Sequence, residues 1–385
     1  MSLAFYLALK EVWYNKGRFL LIAVIVGLIT TLVLFIAALT EGLGNGNREY
    51  LQKLNGELLV YQENVELSIP SSRLDRSTAN ALRRVPGVAE VGQIFFASAT
   101  LTFDTEEELD ISLVGVEPGL PGEPAVQHGH GLERNRSNEA VIDSNVAERR
   151  NITVGDRLRL RVTQGAKEEF YDLTVVGISD GRQYSLLPSI FVPYLTWERI
   201  RPQGEITGNT SELISNIAVV KLVDPTDEAT IARRLEAAVS KIEVVDRRTA
   251  YEATPGYTAQ QSTLDTQRYF TFFIGILVIG GFFQIQTLQK VAQIGMLKAV
   301  GASNLTIAAT ALTQIIMINA VGVTMGALGS LGLGATFPPE IPIVFTGDAV
   351  ATAVGVLMLI GPLGGMVSVW ALLKIEPLSA LGLAQ

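Results

Sequence analysis

The stretch Gln289 to Asn304, QKVAQIGMLKAVGASN, lies between two apolar runs, residues 270–288 and 305–333. Each run is long enough to cross about 30 Å of hydrocarbon at about 1.5 Å of rise per helical residue. Polar sequence held between two such runs has to turn at one face of a membrane. Its residue order predicts an amphipathic helix there, with Val291, Ile294 and Leu297 on a hydrophobic side and Lys290, Gln293 and Lys298 on a polar side.

Two further apolar runs, residues 19–39 and 349–373, bring the predicted spans to four. None of the four holds a charged residue, although 270–288 holds the polar amides Gln284 and Gln286. Soluble core helices seldom run so long without a polar face. Lys10, Lys16 and Arg18 precede the first run, Lys290 and Lys298 lie between the second and third, and Lys374 follows the fourth. The connection 336–348 has Glu340 and Asp348 but neither Lys nor Arg. This distribution predicts a multi-pass protein with both termini cytoplasmic and residues 41–268 outside. The first run, at about 21 residues, is longer than a signal-peptide core, which predicts an uncleaved anchor. Segment 41–268 carries 24 basic and 34 acidic residues, a net of −10 out of −8 for the whole chain. That balance favours solubility of an exported domain and argues against nucleic-acid binding.

Within 41–268, strands are predicted at 57–61, 88–103, 109–116, 140–143, 157–162, 171–178, 190–192 and 217–222 from β-branched content and period-two alternation. Helices are predicted at 73–84, 144–150 and 225–241, the last opened by Asp224 as N-cap, with a helical turn at 196–200. Strands outnumber helices in mixed order, so the expected class is α+β rather than a parallel α/β sheet. Residues 42–54 and 257–269 are polar and are expected to continue the first and second spans as stalks.

No catalytic constellation can be assembled. His128 and His130 fill only half a tetrahedral metal shell and are read as a solvated Gly-flanked loop. Asp104, Glu106, Glu107, Glu108 and Asp110 lack the ligand spacing of an EF-hand and are read as a charged hairpin tip. No P-loop, G-x-S-x-G or H-E-x-x-H motif occurs, so no nucleotide is expected to bind this chain through a Walker sequence. The spans lack ionisable side chains, which argues against an ion pathway. Gly322, Gly326, Ser330 and Gly334 recur every four residues along one face of the third span, a pattern for close helix packing, either within the chain or at a dimer seam. Gly361-Pro-Leu-Gly-Gly365 is expected to kink or loosen the fourth span.

One span, a large outer segment and then three spans is a layout that resembles the FtsX/MacB-type (mechanotransmission) ABC transporter permeases. Leu7 to Arg18 is similar to the family's amphipathic N-terminal helix, and Gln293-Ile-Gly-Met-Leu-Lys-Ala-Val-Gly-Ala-Ser303 resembles its E-I-G-x-x-[KR]-A-x-G-A segment. Lys374-Ile-Glu-Pro-Leu-Ser-Ala-Leu381 resembles the closing tail, and Ala140 to Asp156 resembles the strand–helix–V-G-D unit. Gln293 departs from the family, which usually places Glu there.

The resemblance implies a non-enzymatic permease, with ATP and Mg bound by a separate ABC-type ATPase subunit and no cofactor in this chain. The expected fold is membrane α-helical, four transmembrane helices in a 1+3 arrangement, with the α+β extracytoplasmic domain inserted between helices 1 and 2. The expected divisions are 1–18 (N-terminal helix), 19–40 (span one), 41–268 (outer domain with stalks), 269–288 (span two), 289–304 (coupling helix), 305–334 (span three), 335–348 (external loop), 349–373 (span four) and 374–385 (tail). Lys290, Gln293, Ile294, Gly295, Leu297, Lys298, Gly301 and Ala302 are the expected ATPase-coupling residues, with Gly301 turning the chain into span three. The resemblance further implies a second permease copy (homodimer or close paralogue), contact with membrane lipid, a periplasmic membrane-fusion adaptor where an outer membrane exists, and residence in the bacterial inner membrane. Export of a lipid, lipoprotein, peptide or drug from the outer face is the expected function. The alternative is FtsX-like signalling to an external cell-wall hydrolase without transport.

Overall fold

Residues 19–39, which contain no Gly-Pro break and no charge, lie in one uninterrupted helix. The computed structural model describes residues 3–103, 108–165, 167–184, 187–202, 213–254, 257–289, 291–337, 341 and 343–373. Its contacts divide the chain into two units, Met1–Gly42 with Gln261–Gln385, and Leu43–Gln260.

In the first unit, α1 (Leu3–Tyr14) ends before Asn15, whose carbonyl accepts the amides of Arg18 at 3.0 Å and Phe19 at 3.2 Å. The expected helix over 1–18 is therefore split: Asn15 and Gly17 are poor helix formers, and Lys16 and Arg18 belong to the next helix. That helix, α2 (Lys16–Gln52), runs 37 residues, about 55 Å at 1.5 Å per residue. It is followed after the outer domain by α8 (Tyr257–Gln289), α9 (Val291–Ala299), α10 (Asn304–Gly334) and α11 (Gly347–Leu373). Both predicted stalks are continuations of these helices, 42–52 within α2 and 257–269 within α8.

By length and composition Lys16–Gly44 and Asn304–Gly334 are long and apolar enough to cross a membrane, and Val350–Gly365 is a shorter apolar helical stretch. Leu20, Leu28 and Leu32 on α2, Phe270, Phe273 and Leu277 on α8, Val321 and Leu328 on α10, and Leu359 and Leu363 on α11 are all exposed. Surfaces this apolar on four long helices call for lipid rather than water as solvent.

The second unit is α+β. Its strands are β1 (Leu58–Gln62), β2 (Val88–Thr102), β3 (Glu108–Val116), β4 (Val126–Gly129), β5 (Glu139–Asp143), β6 (Arg157–Gln164), β7 (Lys167–Ser179), β8 (Ser189–Pro193), β9 (Ile217–Leu222) and β10 (Ile242–Asp246). Its helices are α3 (Arg76–Leu82), α4 (Ser144–Arg150), α5 (Tyr194–Ile200), α6 (Glu228–Ala238) and α7 (Arg247–Glu252). The sheet runs β10-β1-β9-β2-β3-β8-β5-β7-β4, and β6 pairs with both β2 and β7. These last pairings close a ring of six strands, β2, β3, β8, β5, β7 and β6. Among the described strands, only the pairs β3–β8 and β5–β7 are parallel.

Alternation along the strands sends one set of side chains into the ring and the other outward. Phe95, Leu101, Ile111, Leu113, Ile142, Leu160, Leu173 and Ile190 fill the ring, closed by Trp197 of α5 and Val146 of α4. Ile94, Val114, Val141 and Phe191 point the other way and pack with Tyr50, Leu51 and Leu54 around the end of α2. A third core lies between α3, α6 and the strands β10-β1-β9-β2, centred on Leu58, Val60, Leu82, Val220, Ile231 and Leu235.

Several predicted boundaries move. The helix expected at 73–84 is α3, started by Asp75 accepting the Thr78 amide at 2.7 Å. The helix expected at 225–241 becomes a 3-10 turn, Pro225–Asp227, and α6; Asp224 accepts the Thr226 amide at 2.9 Å as expected of a cap. Strands β4 and β10 and helix α7 were not anticipated. Strand β4 (VQHG) has no apolar alternation and is defined by its pairing to β7. Thus His128 sits in an edge strand rather than a loop, exposed, while His130 Nδ1 lies 2.8 Å from the Gly131 carbonyl oxygen. Strand β10 is five residues long and is held by β1 alone. Residues 104–107 of the acidic hairpin, residue 290, part of the 335–348 loop and the 374–385 tail lie outside the described residues.

Candidate coupling site

The chain leaves α9 through a capping turn spelled out by Val300-Gly-Ala-Ser303. Ala302 N donates to Leu297 O at 2.9 Å and Gly301 N to Lys298 O at 3.0 Å, the paired bonds of a Schellman cap. Gly301 has φ +99°, the left-handed region that a Cβ disfavours. Two residues later Ser303 opens α10, its Oγ accepting the Thr306 amide at 3.2 Å. The reversal from α9 into span three is thus fixed by backbone chemistry in a handful of residues.

The helix expected over 289–304 is shorter in the structure. Gln289 ends α8, Lys290 is outside the described residues, and α9 takes up nine residues. Its predicted hydrophobic side packs only in part. Ile294 is buried against Ile307, with Ala302 and Ala311 beside them, and Gly295 is buried. Val291 is half-buried, whereas Leu297 is exposed together with Met296 and Val300. A helix this short meets span three along a single strip, so Met296 and Val300 face outward while Leu297 borders the cavity beside that strip. Gln293 is exposed and Lys298 half-buried.

Beneath α9 lies a cavity of about 360 Å³ bordered by α1, α9 and the start of α10, including Glu11, Gln293, Ile294, Ala302, Ile307 and Gln314. Gln314 is buried and its Nε2 donates to Glu11 Oε2 at 2.5 Å, tying the N-terminal helix to span three. Gln293 and Glu11 therefore border the same space.

The small-residue face of α10 packs within the chain. A Cβ on Gly322 would lie 2.6 Å from Val26 Cβ and 2.9 Å from Ala23 O. One on Gly326 would overlap the Gly27 carbonyl oxygen and Thr30 Cβ. Thr31 Oγ1 donates to the Gly326 carbonyl at 3.0 Å, so spans one and three touch at backbone distance. Ser330 is fully buried, and Gly334 faces Phe345, whose Cε2 would be 2.7 Å from a Cβ there. At Gly322 and Gly326 this packing leaves no room for a helix from a second copy. The fourth span stays helical through Pro362. Pro362 has no amide to give the Met358 carbonyl, and Asn319 Nδ2 donates to that carbonyl at 3.1 Å and to Leu357 O at 3.0 Å. Sequence reasoning missed Gln314 and Asn319; the signal available was an amide inside an otherwise apolar span.

In the outer domain the end of α2 is clamped by charge. Lys53 Nζ donates to Glu49 Oε1 at 2.8 Å and to Gly181 O at 2.5 Å, and lies 3.6 Å from Asp180 Oδ2. Arg182, only 4% exposed, donates through Nε to Asp180 Oδ1 at 2.8 Å. Asp143 is fully buried beside them, with Oδ1 accepting the Val146 amide at 2.9 Å and Oδ2 the Ser189 amide at 2.8 Å. Burial pushes the Asp143 carboxyl up to about 6, against the pull of those amides, with Glu49 adding a smaller upward push. No group of three or more potential metal ligands occurs among the described residues.

Residues 19–238 match the MacB-like periplasmic core domain, and residues 269–377 match the FtsX-like permease C-terminal domain. The chain belongs to the MacB/FtsX family of ABC transporter permeases. Relatives in this family include a putative hemin transport system permease protein HrtB of Staphylococcus haemolyticus, 25% identical over 378 residues that cover 98% of this chain and 99% of that protein. An uncharacterized ABC transporter permease of Mycobacterium tuberculosis is 21% identical over 378 residues, covering 94% and 96% respectively. The macrolide export ATP-binding/permease protein MacB of Agrobacterium fabrum is 24% identical, and the match takes in 99% of this chain but 60% of that protein. Among solved structures, the periplasmic region of MacB from Actinobacillus actinomycetemcomitans matches 52% of this chain and 94% of its own at 15% identity, with a TM-score of 0.36. As a MacB/FtsX permease, the chain is a membrane protein with an extracytoplasmic domain and works with an ABC-type ATPase.

Proposed function

We propose that this permease couples ATP hydrolysis on a separate ATPase subunit to movement of its outer domain, extruding a substrate from the outer face of the bacterial inner membrane. The termini and α9 lie in the cytoplasm on this reading, with four spans and the outer domain outside. The observation that carries it is α9 itself: a short helix pinned by Ile294 and by the Gly301 cap, yet presenting Met296 and Val300 outward. A pinned helix with an unpartnered apolar face is suited to receive a moving subunit and pass its displacement into α8 and α10. ATP and Mg bind the partner, and Gln293, exposed on α9, meets it without a charge. A second permease copy completes the machine, its seam lying away from Gly322 and Gly326. In an organism with an outer membrane, an adaptor docks on the outer domain.

Hemin and macrolides, named for the relatives, are the first cargoes to assay. The permease and its ATPase, reconstituted in liposomes, should show cargo-stimulated ATP hydrolysis. Gly301→Glu forces a side chain onto the left-handed turn, and Lys298→Glu reverses a charge on α9. Each is expected to lower stimulated hydrolysis and export at least tenfold while the ATPase still binds ATP. Wild-type rates of both in the two variants would remove the lever role from α9.

A further inference from the structure

We propose that the outer domain holds an oxyanion-binding pocket built on Arg73 and Arg201, for a carboxylate or phosphate that is either free or carried on the head of an amphiphile. A cavity of about 270 Å³ is bordered by Arg73, Phe96, Ala97, Trp197, Arg201 and Asn216. It lies wholly within the outer domain and does not depend on what the permease moves.

Each wall is fixed by bonds that point to its role. Trp197 is buried and donates through Nε1 to Leu113 O at 3.2 Å; Gly115 lets it settle on the sheet, since a Cβ there would be 2.7 Å from Trp197 Cβ. Arg201 follows one turn later at the end of α5, its guanidinium 5.5 Å from the Trp197 ring centre. Its Nε is buried without a hydrogen-bond partner. Arg73 is exposed and is oriented by Nη1, which donates to Pro70 O at 2.6 Å and Ser72 O at 2.7 Å. Neither arginine pairs with a carboxylate among the described residues. Asn216 is already committed, giving Nδ2 to Ile69 O at 3.0 Å and accepting the Phe96 amide at 2.7 Å through Oδ1, so it is wall rather than ligand.

Two guanidinium groups on one cavity repel each other. An oxyanion between them relieves it and meets the planar donor fork that carboxylate and phosphate geometry suit. The pocket stands out because the 41–268 segment is acidic overall, net −10. Phe96 and Trp197 offer an apolar surface to whatever carries the anion.

The test uses the full chain in non-ionic detergent with Trp13→Phe and Trp370→Phe, both exposed positions, leaving Trp197 as the single tryptophan of three. Its fluorescence is titrated with octyl phosphate, octanoate, inorganic phosphate and octanol. A saturable change is expected with octyl phosphate or octanoate and none with octanol. Arg73→Gln and Arg201→Gln are each expected to weaken binding at least tenfold. Arg73 is exposed, so its variant should melt with the parent and separates loss of binding from loss of fold. Octyl phosphate binding tenfold tighter than inorganic phosphate assigns the pocket to amphiphile heads; equal affinities assign it to free anions. No saturable response to any anion, or unchanged affinity in both arginine variants, overturns the proposal.

Discussion

Asn319 Nδ2 donates at 3.1 Å to the Met358 carbonyl, the acceptor that Pro362, four residues on, cannot serve. The amide of span three thereby repairs the ladder of span four. Asn319→Leu should cost about 1–2 kcal/mol, because a buried carbonyl is left without a donor. In a Pro362→Ala background the restored amide should reach Met358, and the same substitution should cost less by about 1 kcal/mol. Thermal denaturation of the four detergent-solubilised chains, followed by circular dichroism, measures this coupling. Equal costs in both backgrounds would show that Asn319 acts elsewhere.

The contact between α2 and α10 leads to a steric prediction. Gly326→Leu places atoms where the Gly27 carbonyl and Thr30 already sit, and is expected to destabilise by about 1–3 kcal/mol. Gly332, on the same helix, has nothing within 4 Å of a would-be Cβ, so Gly332→Ala should stay within about 0.5 kcal/mol of the parent. Melting temperatures of the two variants decide it. A Gly326→Leu chain as stable as Gly332→Ala would mean that the two spans do not pack at backbone distance.

Asp143 should leave a pH signature on the outer domain. Its carboxyl rises from 3.8 to about 6 on folding, chiefly through burial. Between those values the folded chain holds a proton that the unfolded chain has released. Its contribution to stability is therefore fully present below about pH 4 and is lost as pH rises through about 6, a difference on the order of 3 kcal/mol. Asp143→Asn should flatten that slope. It should also cost about 1–2 kcal/mol, since an amide oxygen can serve only one of the Val146 and Ser189 amides. Melting curves of parent and variant at several pH values between 4 and 7 provide the check, and an identical slope in both would exonerate Asp143.

Gly301 as the turn into α10 was legible because its signal is local, whereas Ser303 was not read as the cap of α10. Gly301 as the reversal and Ser303 after it are determined by residues within one helical turn of each other, and the cap bonds follow from that spacing. The packing of α9 was less legible. Ile294 and Leu297 carry equal hydrophobic weight in sequence, yet one is 5% exposed and the other 46%. Which of them meets span three depends on the crossing of two helices, and nothing in nine residues encodes that crossing. In the outer domain, β4 and β10 were missed for a related reason: a short edge strand is defined by the partner it pairs with.

By itself the sequence determined the four apolar runs, their spacing around one large α+β segment, and the family. Run length against bilayer thickness, alternation along strands and cap chemistry are all short-range properties of the chain. Only the tertiary structure decided that Gly322 and Gly326 face Ala23, Val26 and Thr30, and that Asn319 serves the carbonyl vacated by Pro362. It alone brought Arg73 and Arg201 to one cavity and Asp143 beside the Glu49–Lys53 clamp. Contacts between residues far apart in sequence depend on how whole elements pack, and a polar side chain shows its partner only once the chain has folded around it.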